Sequence, residues 1–337
     1  MTGEPTQPPA QPLVASMMQG IHRAQAIHVV ARLGIADLLV NGPLTAGELV
    51  EASQSRFPEL NRVMRFLAGE GVFTQDALGR YELNDAAQLL RSDAPNSQRP
   101  MALYLGAPYI WAAWGRLFDS VTLGTVAFEA AHGIQRWDYE AAHPHDYALF
   151  QRYQSVAAVR RSPAAYDFSG MTSVVDVGGG DGTMLAGVLR AYPDLRGILF
   201  DVPEVIGRAR TVIAEADMTD RCELVEGSFF ETVPAGGEAY ILSNILHDWP
   251  DAECLRILRT CRKAMSAGAR LIVVEAVVPG DSAAPSAVRY GDLQMMALTG
   301  GMQRTLEEFE ALFTPTGFRG ARTLYLGSNT IVEATAS

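Results

Sequence analysis

The chain has 337 residues, and 27 Lys and Arg against 38 Asp and Glu give a formal net charge of −11. With 48% hydrophobic and 19% charged residues, the composition is that of a globular protein long enough for two domains. Binding to nucleic acid backbones or to anionic membrane surfaces requires clustered basic residues, which the acidic balance argues against. We therefore expect no nucleic acid partner and no membrane partner.

The cysteines and the N-terminus bear on the cellular compartment. Cys222, Cys254 and Cys261 form no CxxC pair, which fits a reducing compartment and gives no support to a metal site. Residues 1–12 are proline-rich and lack the basic start and apolar run of a secretory signal. Charges, Gly or Pro interrupt every apolar run before the ~20 residues of a membrane span. We expect a disordered tail over 1–12 and a cytoplasmic protein.

From residue 13 to residue 165, apolar residues recur at helical spacing. Thr45 and Glu48 have the spacing of a capping box, which predicts a helix start, and a further helix follows it. Two short apolar runs around Gly79 then predict a hairpin. Helix, helix and hairpin in this order are typical of a winged helix, so we predict a winged-helix-like dimerisation domain over 13–100.

The segment 13–40 contains more apolar side chains than a short terminal helix can bury against its own domain. An apolar surface of this kind usually marks an interface, and closed twofold dimers are the commonest oligomers. We therefore expect a homodimer. The apolar side chains in question are Ile27, Val30, Leu33, Ile35, Leu38 and Leu39.

Residues 101–165 are aromatic-rich and helical, and we predict a linker and pocket segment there. From 166 to 337 the pattern changes, because short apolar runs alternate with helical stretches near 182–192, 203–217 and 250–267. This alternation predicts an α/β Rossmann-like domain with a mostly parallel sheet, and ligands bind at the carboxyl ends of such strands. The predicted strands are Ser173–Val177, Gly197–Asp201, Cys222–Glu226, Ala239–Leu242 and Ala269–Ala276.

A glycine-rich run, Gly178-Gly179-Gly180-Asp181-Gly182, follows the first of these strands. It does not match the dinucleotide pattern G-x-G-x-x-G, whose last position is Thr183 here, nor the P-loop, since no Lys follows. A loop with acids and no cation is a poor cradle for phosphates. It suits a cofactor with an amino group and a positive centre, and S-adenosylmethionine meets that description. The alternative is a turn that only allows close packing of helix and strand.

Two further strand ends support a nucleoside cofactor. Asp201 ends the second strand, where an acid can accept hydrogen bonds from both ribose hydroxyls. Gly227-Ser228-Phe229-Phe230 ends the third, where Phe229 can pack on adenine and Ser228 can hydrogen-bond it. These residues lie in register with the glycine-rich run, as one nucleoside site requires.

Nearly the whole chain resembles the class I S-adenosylmethionine-dependent O-methyltransferases of the plant caffeate and bacterial natural-product type. Beside the three strand ends above, the resemblance rests on Leu246-His247-Asp248-Trp249 and Gly300-Gly301-Met302-Gln303-Arg304-Thr305. It implies a helical N-terminal dimerisation domain followed by a Rossmann-like methyltransferase domain. S-adenosylmethionine is then the cofactor, S-adenosylhomocysteine the product, and no metal is required.

The resemblance also implies cofactor contacts at Gly178, Asp201, Ser228, Phe229 and Ser243. The plant pattern has Asp at the position of Ser228 and Lys at that of Ser243. Adenine recognition should therefore be looser here, or should rely on the backbone.

His247 stands at the carboxyl edge of the predicted sheet, where it faces the ligand crevice. Methyl transfer to a phenol of pKa ~10 benefits from a base, and a histidine of pKa ~6.5 is free to accept a proton at pH 7. Glu275 ends the next strand and can hold the other ring nitrogen. The family assigns these two positions as base and orienting carboxylate; the alternative is a histidine satisfied by its neighbours.

Gln303 departs from the plant pattern, which has a second catalytic carboxylate at this position. An amide exchanges hydrogen bonds but cannot stabilise an imidazolium by charge. Either His247 and Glu275 suffice, or proximity and orientation of phenol and methyl group do most of the work. A third reading is that the chemistry has drifted from methylation.

The acceptor pocket should be formed by Phe150, Tyr153, Trp249, Met295 and Met296, with Gln303 nearby, and closed by the N-terminal region of a partner subunit. A Met pair on a helix is more often core filler, but the family segment around it sandwiches an aromatic acceptor. We therefore predict methyl transfer to a phenolic hydroxyl of an aromatic bacterial secondary metabolite, for example a fused-ring phenazine or a polyketide in antibiotic biosynthesis.

Two rival functions remain at this point. The first is the same fold with bound S-adenosylmethionine and non-methylating chemistry, namely hydroxylation, decarboxylation or rearrangement. The second is a winged-helix regulator that senses a ligand. Against the regulator, the helix after Pro58 offers Arg62 and Arg65 but no wider basic stripe.

Overall fold

The structure is a computed structural model that describes residues 10–160, 166–279, 286–326 and 329–337. The chain divides into two compact units, the first ending at Trp111 and the second beginning at Ala112. Most of the predicted tail, residues 1–9, and the end of the predicted linker, residues 161–165, lie outside the described residues.

The first unit is helical apart from one hairpin. Strands β1 (Phe73–Gln75) and β2 (Tyr81–Leu83) pair antiparallel, as predicted around Gly79. The predicted capping box is also confirmed, since Thr45 and Glu48 each accept a hydrogen bond from the other's backbone N–H. The helices are α1 (Ala10–Met18), α2 (Gly20–Leu33), α3 (Ile35–Leu38), α4 (Ala46–Ser53), α5 (Phe57–Gly69), α6 (Asp85–Gln88), α7 (Arg99–Leu105) and α8 (Pro108–Trp114), the last crossing the division.

The apolar side chains expected at an interface lie instead in the interior of this unit. Val30, Ile35 and Leu39 belong to its core, and Ile27, Leu33 and Leu38 pack against that core. The placement was wrong because α4, α5 and the hairpin supply enough apolar surface to cover them. The exposed apolar side chains of this segment lie earlier, on α1 and the start of α2: Leu13, Val14, Met17, Met18 and Ile21.

In the described part of the second unit, seven strands form one sheet in the order β5-β4-β3-β6-β7-β9-β8. Neighbours from β5 to β7 are parallel, whereas β9 is antiparallel to both of its neighbours. The strands are β3 (Ser173–Val177), β4 (Arg196–Asp201), β5 (Cys222–Glu226), β6 (Ala239–Ser243), β7 (Arg270–Val274), β8 (Phe318–Leu326) and β9 (Asn329–Ala336).

Helices precede the sheet and cover both of its faces. The helices of this unit are α9 (Leu117–Leu123), α10 (Ala127–His132), α11 (Arg136–Ala142), α12 (Pro144–Arg160), α13 (Thr183–Ala191), α14 (Pro203–Glu215), α15 (Asp251–Ala264), α16 (Ser286–Leu298) and α17 (Leu306–Phe313).

None of the described helices of either unit alone has the length and apolar composition to cross a membrane, although the bent pair Gln11–Leu33 and Ile35–Asn41 meets both criteria together.

Alternation along the strands divides the interior into two cores. Val174 packs in one core with apolar residues of α13 and α14, whereas Val175 and Val177 pack in the other with residues of α15 and α17. Successive side chains of a strand point to opposite faces, so a strand covered on both sides must be apolar throughout. This requirement explains why the five parallel strands were predictable from their apolar runs.

The strands β8 and β9 were not predicted. Polar residues and Gly320 interrupt the apolar pattern of β8, and its register against β9 shifts between Arg319 and Arg322. In β9 the buried carboxylate of Glu333 accepts from Arg270 and Arg322. Since these two strands lie at one end of the sheet order, they leave the predicted site at the other strands unchanged.

Candidate active site

The loop after β3 requires glycine for two separate reasons. Gly178 has φ of 72°, and a Cβ there would lie 2.5 Å from Cδ1 of Ile245. Gly180 has φ of 61° with open space around the position of a Cβ, and its N–H donates to Oδ2 of Asp201 at 2.9 Å. Side chains at these positions would be strained, and the bare backbone borders the space above the strands.

Asp201 at the end of β4 is fixed by the backbone. Its Oδ1 accepts from the N–H of Val202 at 2.8 Å, while its Oδ2 holds Gly180. Burial raises the pKa of Asp201 to about 6, and these two hydrogen bonds oppose the rise. Each carboxylate oxygen has a second lone pair, so Asp201 can still accept from a ligand hydroxyl.

A cavity of about 670 Å³ opens where the strands of the sheet end. Such a volume is in the range of small-molecule sites, which hold ~300–1,000 Å³. The strand ends, α13 and α14 supply one side: Gly178, Gly179, Gly180, Asp181, Met184, Asp201, Val202, Glu204, Val205, Arg208, Gly227, Ser228, Phe229, Phe230, Ser243, Asn244, Ile245, Asp248 and Trp249. Helices α11 and α12 supply the other: Trp137, Glu140, Ala141, Pro144, Tyr147, Phe150, Gln151 and Gln154.

Aromatic rings meet at the end of the cavity near Trp249. Its ring centroid lies 4.8 Å from that of Phe230 and 6.2 Å from that of Trp137, which in turn lies 5.9 Å from Phe150. Flat apolar walls of this kind bind aromatic rings by stacking and edge contacts. The other end, around Asp201 and Arg208, is more polar.

His247 lies in the short 3₁₀ helix Leu246–Asp248 that follows β6, and it is buried. Its Nδ1 is 3.1 Å from the amide Nε2 of Gln303, and its Nε2 is 3.8 Å from Oδ2 of Asp248. Among the described residues, the amide Oε1 of Gln303 has no hydrogen-bond partner. The residue that departs from the plant pattern therefore contacts the imidazole.

Glu275 contacts the main chain beside His247. Its Oε1 accepts from the N–H groups of Ile245 and His247, each at 3.1 Å, and its Oε2 has no partner within the described ranges. The expected hydrogen bond to the imidazole is thus replaced by bonds to the backbone. The reason is that the orphan N–H groups of the turn after β6 point at the end of β7. Burial raises the pKa of Glu275 to about 7.

Arg304 fixes the same turn from the opposite direction. Its guanidinium is 1% exposed and donates to the carbonyls of Leu246 and Trp249, each at 2.9 Å, and to Asp251 at 2.7 Å. The turn that carries His247 is therefore tied on its N–H side by Glu275 and on its C=O side by Arg304. Neither tie involves the imidazole.

The sequence-predicted residues divide into two groups in the structure. The cavity brings together Gly178, Asp201, Ser228, Phe229, Ser243, Phe150 and Trp249. The described lining does not include His247, Glu275, Tyr153, Met295, Met296 or Gln303. Met295 is buried and Met296 half-buried, as expected of the core-filler alternative.

Sequence reasoning missed several lining residues, notably Trp137, Glu140, Tyr147 and Arg208. A signal for the first three was available. The lining positions from 137 to 154 recur every three or four residues, which is the period of one helix face. Arg208 follows the lining residues Glu204 and Val205 at the same helical spacing, but nothing in the sequence indicated that this face of α14 borders the cavity.

Arg304→Met should destabilise the second unit by about 2–4 kcal/mol, because the carbonyls of Leu246 and Trp249 lose their charged donor and the ion pair with Asp251 is broken. Urea unfolding followed by tryptophan fluorescence measures this change. Arg259→Met, on the exposed face of α15, is the matched control and should be neutral. A loss below 1 kcal/mol for Arg304→Met would show that the turn is held by other contacts.

Two family models match this chain. The O-methyltransferase domain covers residues 114–319, and the O-methyltransferase dimerisation domain covers residues 15–93. The second match coincides with the helical unit and the first with the unit that holds the cavity.

Similar proteins support the same assignment. The chain is 40% identical to the phenazine O-methyltransferase PhzM of Lysobacter antibioticus, over 97% of this chain and 96% of the relative. It is 37% identical to the mitomycin biosynthesis 6-O-methyltransferase of Streptomyces lavendulae, over 96% and 93%. The solved structure of LaPhzM superposes with a TM-score of 0.93 at 40% identity, covering 98% of this chain and 100% of that one. The chain therefore belongs to the O-methyltransferase family, with its dimerisation domain N-terminal to its methyltransferase domain.

Proposed function

We propose that this protein transfers a methyl group from S-adenosylmethionine to a phenolic hydroxyl of a fused-ring aromatic secondary metabolite. The observation that carries the proposal is one cavity with a polar, glycine-lined end at Asp201 and an aromatic end at Trp249. Relatives named for phenazine and for 2,7-dihydroxy-5-methyl-1-naphthoate methylation, at 40% and 32% identity, support an acceptor with fused rings.

The glycine-lined end fits S-adenosylmethionine, which supplies an electrophilic methyl group when bound. The NcsB1 structure, 31% identical with a TM-score of 0.83, contains this cofactor together with a naphthoic acid. In our proposal the backbone at Gly178 borders the amino acid part, Asp201 accepts from the ribose hydroxyls, and Ser228 and Phe229 contact adenine. Ser243 also belongs to the lining. It stands where the plant pattern has a lysine, and its shorter side chain contributes only a hydroxyl group.

The acceptor end supplies positioning and proton removal. Phe150, Trp249 and Trp137 hold the ring, and His247 accepts the phenolic proton, its turn being fixed by Glu275 and Arg304. Asp248 belongs to the cavity lining, and its Oδ2 lies 3.8 Å from Nε2 of His247, so this carboxyl group stands beside the nitrogen that would receive the phenolic proton. Burial raises the pKa of Asp248 to about 7, and Arg136 opposes the rise.

Gln303 serves either tautomer of His247. Its N–H donates to a bare Nδ1, as in the observed contact, and its carbonyl accepts from a protonated Nδ1 after a 180° rotation of the amide. Only the second arrangement leaves Nε2 with the lone pair that a base requires. A carboxylate at 303 would enforce that arrangement, since it has no N–H to donate.

We also propose that the protein works as a homodimer through its N-terminal domain, which matches the dimerisation family. Helix α1 offers an apolar face for this purpose, with Met17 and Met18 71% and 72% exposed. An exposed apolar face of this kind on a helix is typical of an interface.

Asp201→Ala should weaken binding of S-adenosylhomocysteine at least tenfold, because each hydrogen bond to a charged acceptor contributes ~1.5–3 kcal/mol. Ribose hydroxyls favour the ionised carboxylate, so affinity for the wild type should fall as the pH drops through about 6 and should be constant above 7. Calorimetry from pH 5 to 8 measures both effects. Asp194→Ala is a control outside the cavity; unchanged affinity in Asp201→Ala would place the nucleoside elsewhere.

His247→Ala should lower the single-turnover rate by ~10²–10⁴, the usual contribution of a positioned base. Gln303→Glu should raise the rate at pH 7, whereas Glu275→Gln should cost less than His247→Ala, since an amide oxygen still accepts from the two N–H groups. The assay is methylation of one accepted phenol between pH 6 and 10, with exposed His145→Ala as control.

A rate for His247→Ala within threefold of wild type would leave proximity and orientation as the main source of catalysis. If bound S-adenosylmethionine methylates no phenol in any of these proteins, non-methylating chemistry replaces the proposal.

Light scattering at micromolar concentration should give a mass near twice 36.4 kDa. The double variant Val14→Asp, Met17→Asp should shift the mass towards the monomer, because two charges cannot be buried in an apolar interface without partners. Leu78→Asp, at an exposed apolar position of the hairpin turn, should remain dimeric. A monomeric wild type, or a dimer unaffected by the double variant, contradicts the assignment of this surface.

A further inference from the structure

A buried ion pair lies beside the aromatic end of the cavity and is not used by the chemistry above. On α11, Nε of Arg136 donates to Oε1 of Glu140 at 3.0 Å, and the two side chains are 2% and 1% exposed. The guanidinium carbon of Arg136 lies 4.3 Å from the ring centroid of Phe150 and 4.7 Å from that of Trp137. The pair is thus held in place by the rings that form the acceptor end.

Only one oxygen of Glu140 is satisfied in this arrangement. Within the described part of the chain, Oε2 of Glu140 has no hydrogen-bond partner, although the residue belongs to the cavity lining. An unpaired buried carboxylate oxygen costs free energy, so it calls for a partner that the chain itself does not supply. A structural ion pair needs no exposure to a ligand cavity, so packing alone does not account for this position.

The charges around Glu140 restrict what it can bind. Arg136 neutralises Glu140 in part, and Asp248 contributes a second buried carboxyl group to the same lining. Burial raises the pKa of Glu140, and the guanidinium of Arg136 opposes the rise. The unpaired oxygen of the ionised Glu140 can only accept a hydrogen bond, so it favours a donor group on a ligand over a carboxylate.

We infer that Glu140 is a specificity-determining residue that accepts a hydrogen bond from an amino or second hydroxyl group on the acceptor ring. This inference rests on the proposed function and narrows the substrate class to phenols with a second ring-borne donor. Aromatic compounds with a carboxylate at that position should be rejected. The donor remains on the ring during the reaction, so Glu140 positions the acceptor and takes no part in methyl transfer.

Glu140→Gln is the most informative variant. Arg136 still requires an acceptor, so the amide oxygen turns to Arg136 and the amide N–H₂ replaces Oε2. The substitution thereby changes an acceptor into a donor at constant shape. Asp138→Asn makes the same chemical change at an exposed position of α11 and is the matched control.

The test is calorimetric binding to enzyme saturated with S-adenosylhomocysteine, which requires no turnover. The probes are 1-naphthol, the isomeric aminonaphthols and dihydroxynaphthalenes, and their methoxy counterparts. At least one amino or dihydroxy isomer should bind wild type and Asp138→Asn ten times more tightly than 1-naphthol. In Glu140→Gln this advantage in affinity should fall below threefold. The corresponding methoxy compound can only accept a hydrogen bond, and it should bind Glu140→Gln more tightly than wild type.

A merely structural role would give a different pattern. It would lower the melting temperature and weaken all probes by one common factor, leaving their ratios unchanged. Unchanged ratios, or no advantage of any donor-bearing isomer in the wild type, overturn the inference. Failure of the proposed function is separate, because it would appear as absent methyl transfer to probes that still bind with the expected ratios.

Discussion

The order of the strands constrains everything else in the methyltransferase domain. The chain leaves β3 towards β4 and β5 on one side and then returns to place β6 on the other side of β3. The connections after β3 and β6 therefore diverge, and a crevice must open between them. Asp201 and the glycine-rich loop border this crevice from one side, while the turn with His247 borders it from the other. The positions of both follow from the topology before any side chain is considered.

Topology alone does not fix the conformation of the turn after β6, which carries the buried His247. The carboxyl group of Glu275 accepts hydrogen bonds from two N–H groups of the turn, and the guanidinium of Arg304 donates to two of its carbonyls. Side chains of opposite type therefore hold the same stretch of backbone. Charged hydrogen bonds in a dry interior are strong, and they resist small displacements. These hydrogen bonds hold the backbone of the turn in place, whereas Gln303 contacts the imidazole itself.

The parallel part of the fold was predictable because a strand buried on both faces must be apolar, and residues such as Val174 to Val177 satisfy this rule. The meeting of Gly178, Asp201 and Ser228 in one cavity was predictable for a related reason, since parallel strands end at the same edge of the sheet. The edge strand β8 need not be apolar throughout, and its mixture of polar and apolar residues gave no strand signal in the sequence. The contact between Gln303 and His247 was equally hidden, because it joins distant segments and depends on side-chain direction.

Nearly all lining residues opposite the strand ends come from one short stretch, between Trp137 and Gln154. The side that contains the glycine-rich loop is instead assembled from four separate segments, one after each of β3, β4, β5 and β6. Changes in this short stretch alter one whole side of the cavity, from the rings of Trp137 and Phe150 to Tyr147, whose ring centroid lies 4.4 Å from the guanidinium carbon of Arg208. Divergence of such enzymes between metabolites therefore needs few, neighbouring codon changes, and a library confined to these eighteen positions would sample new acceptors without unfolding the sheet.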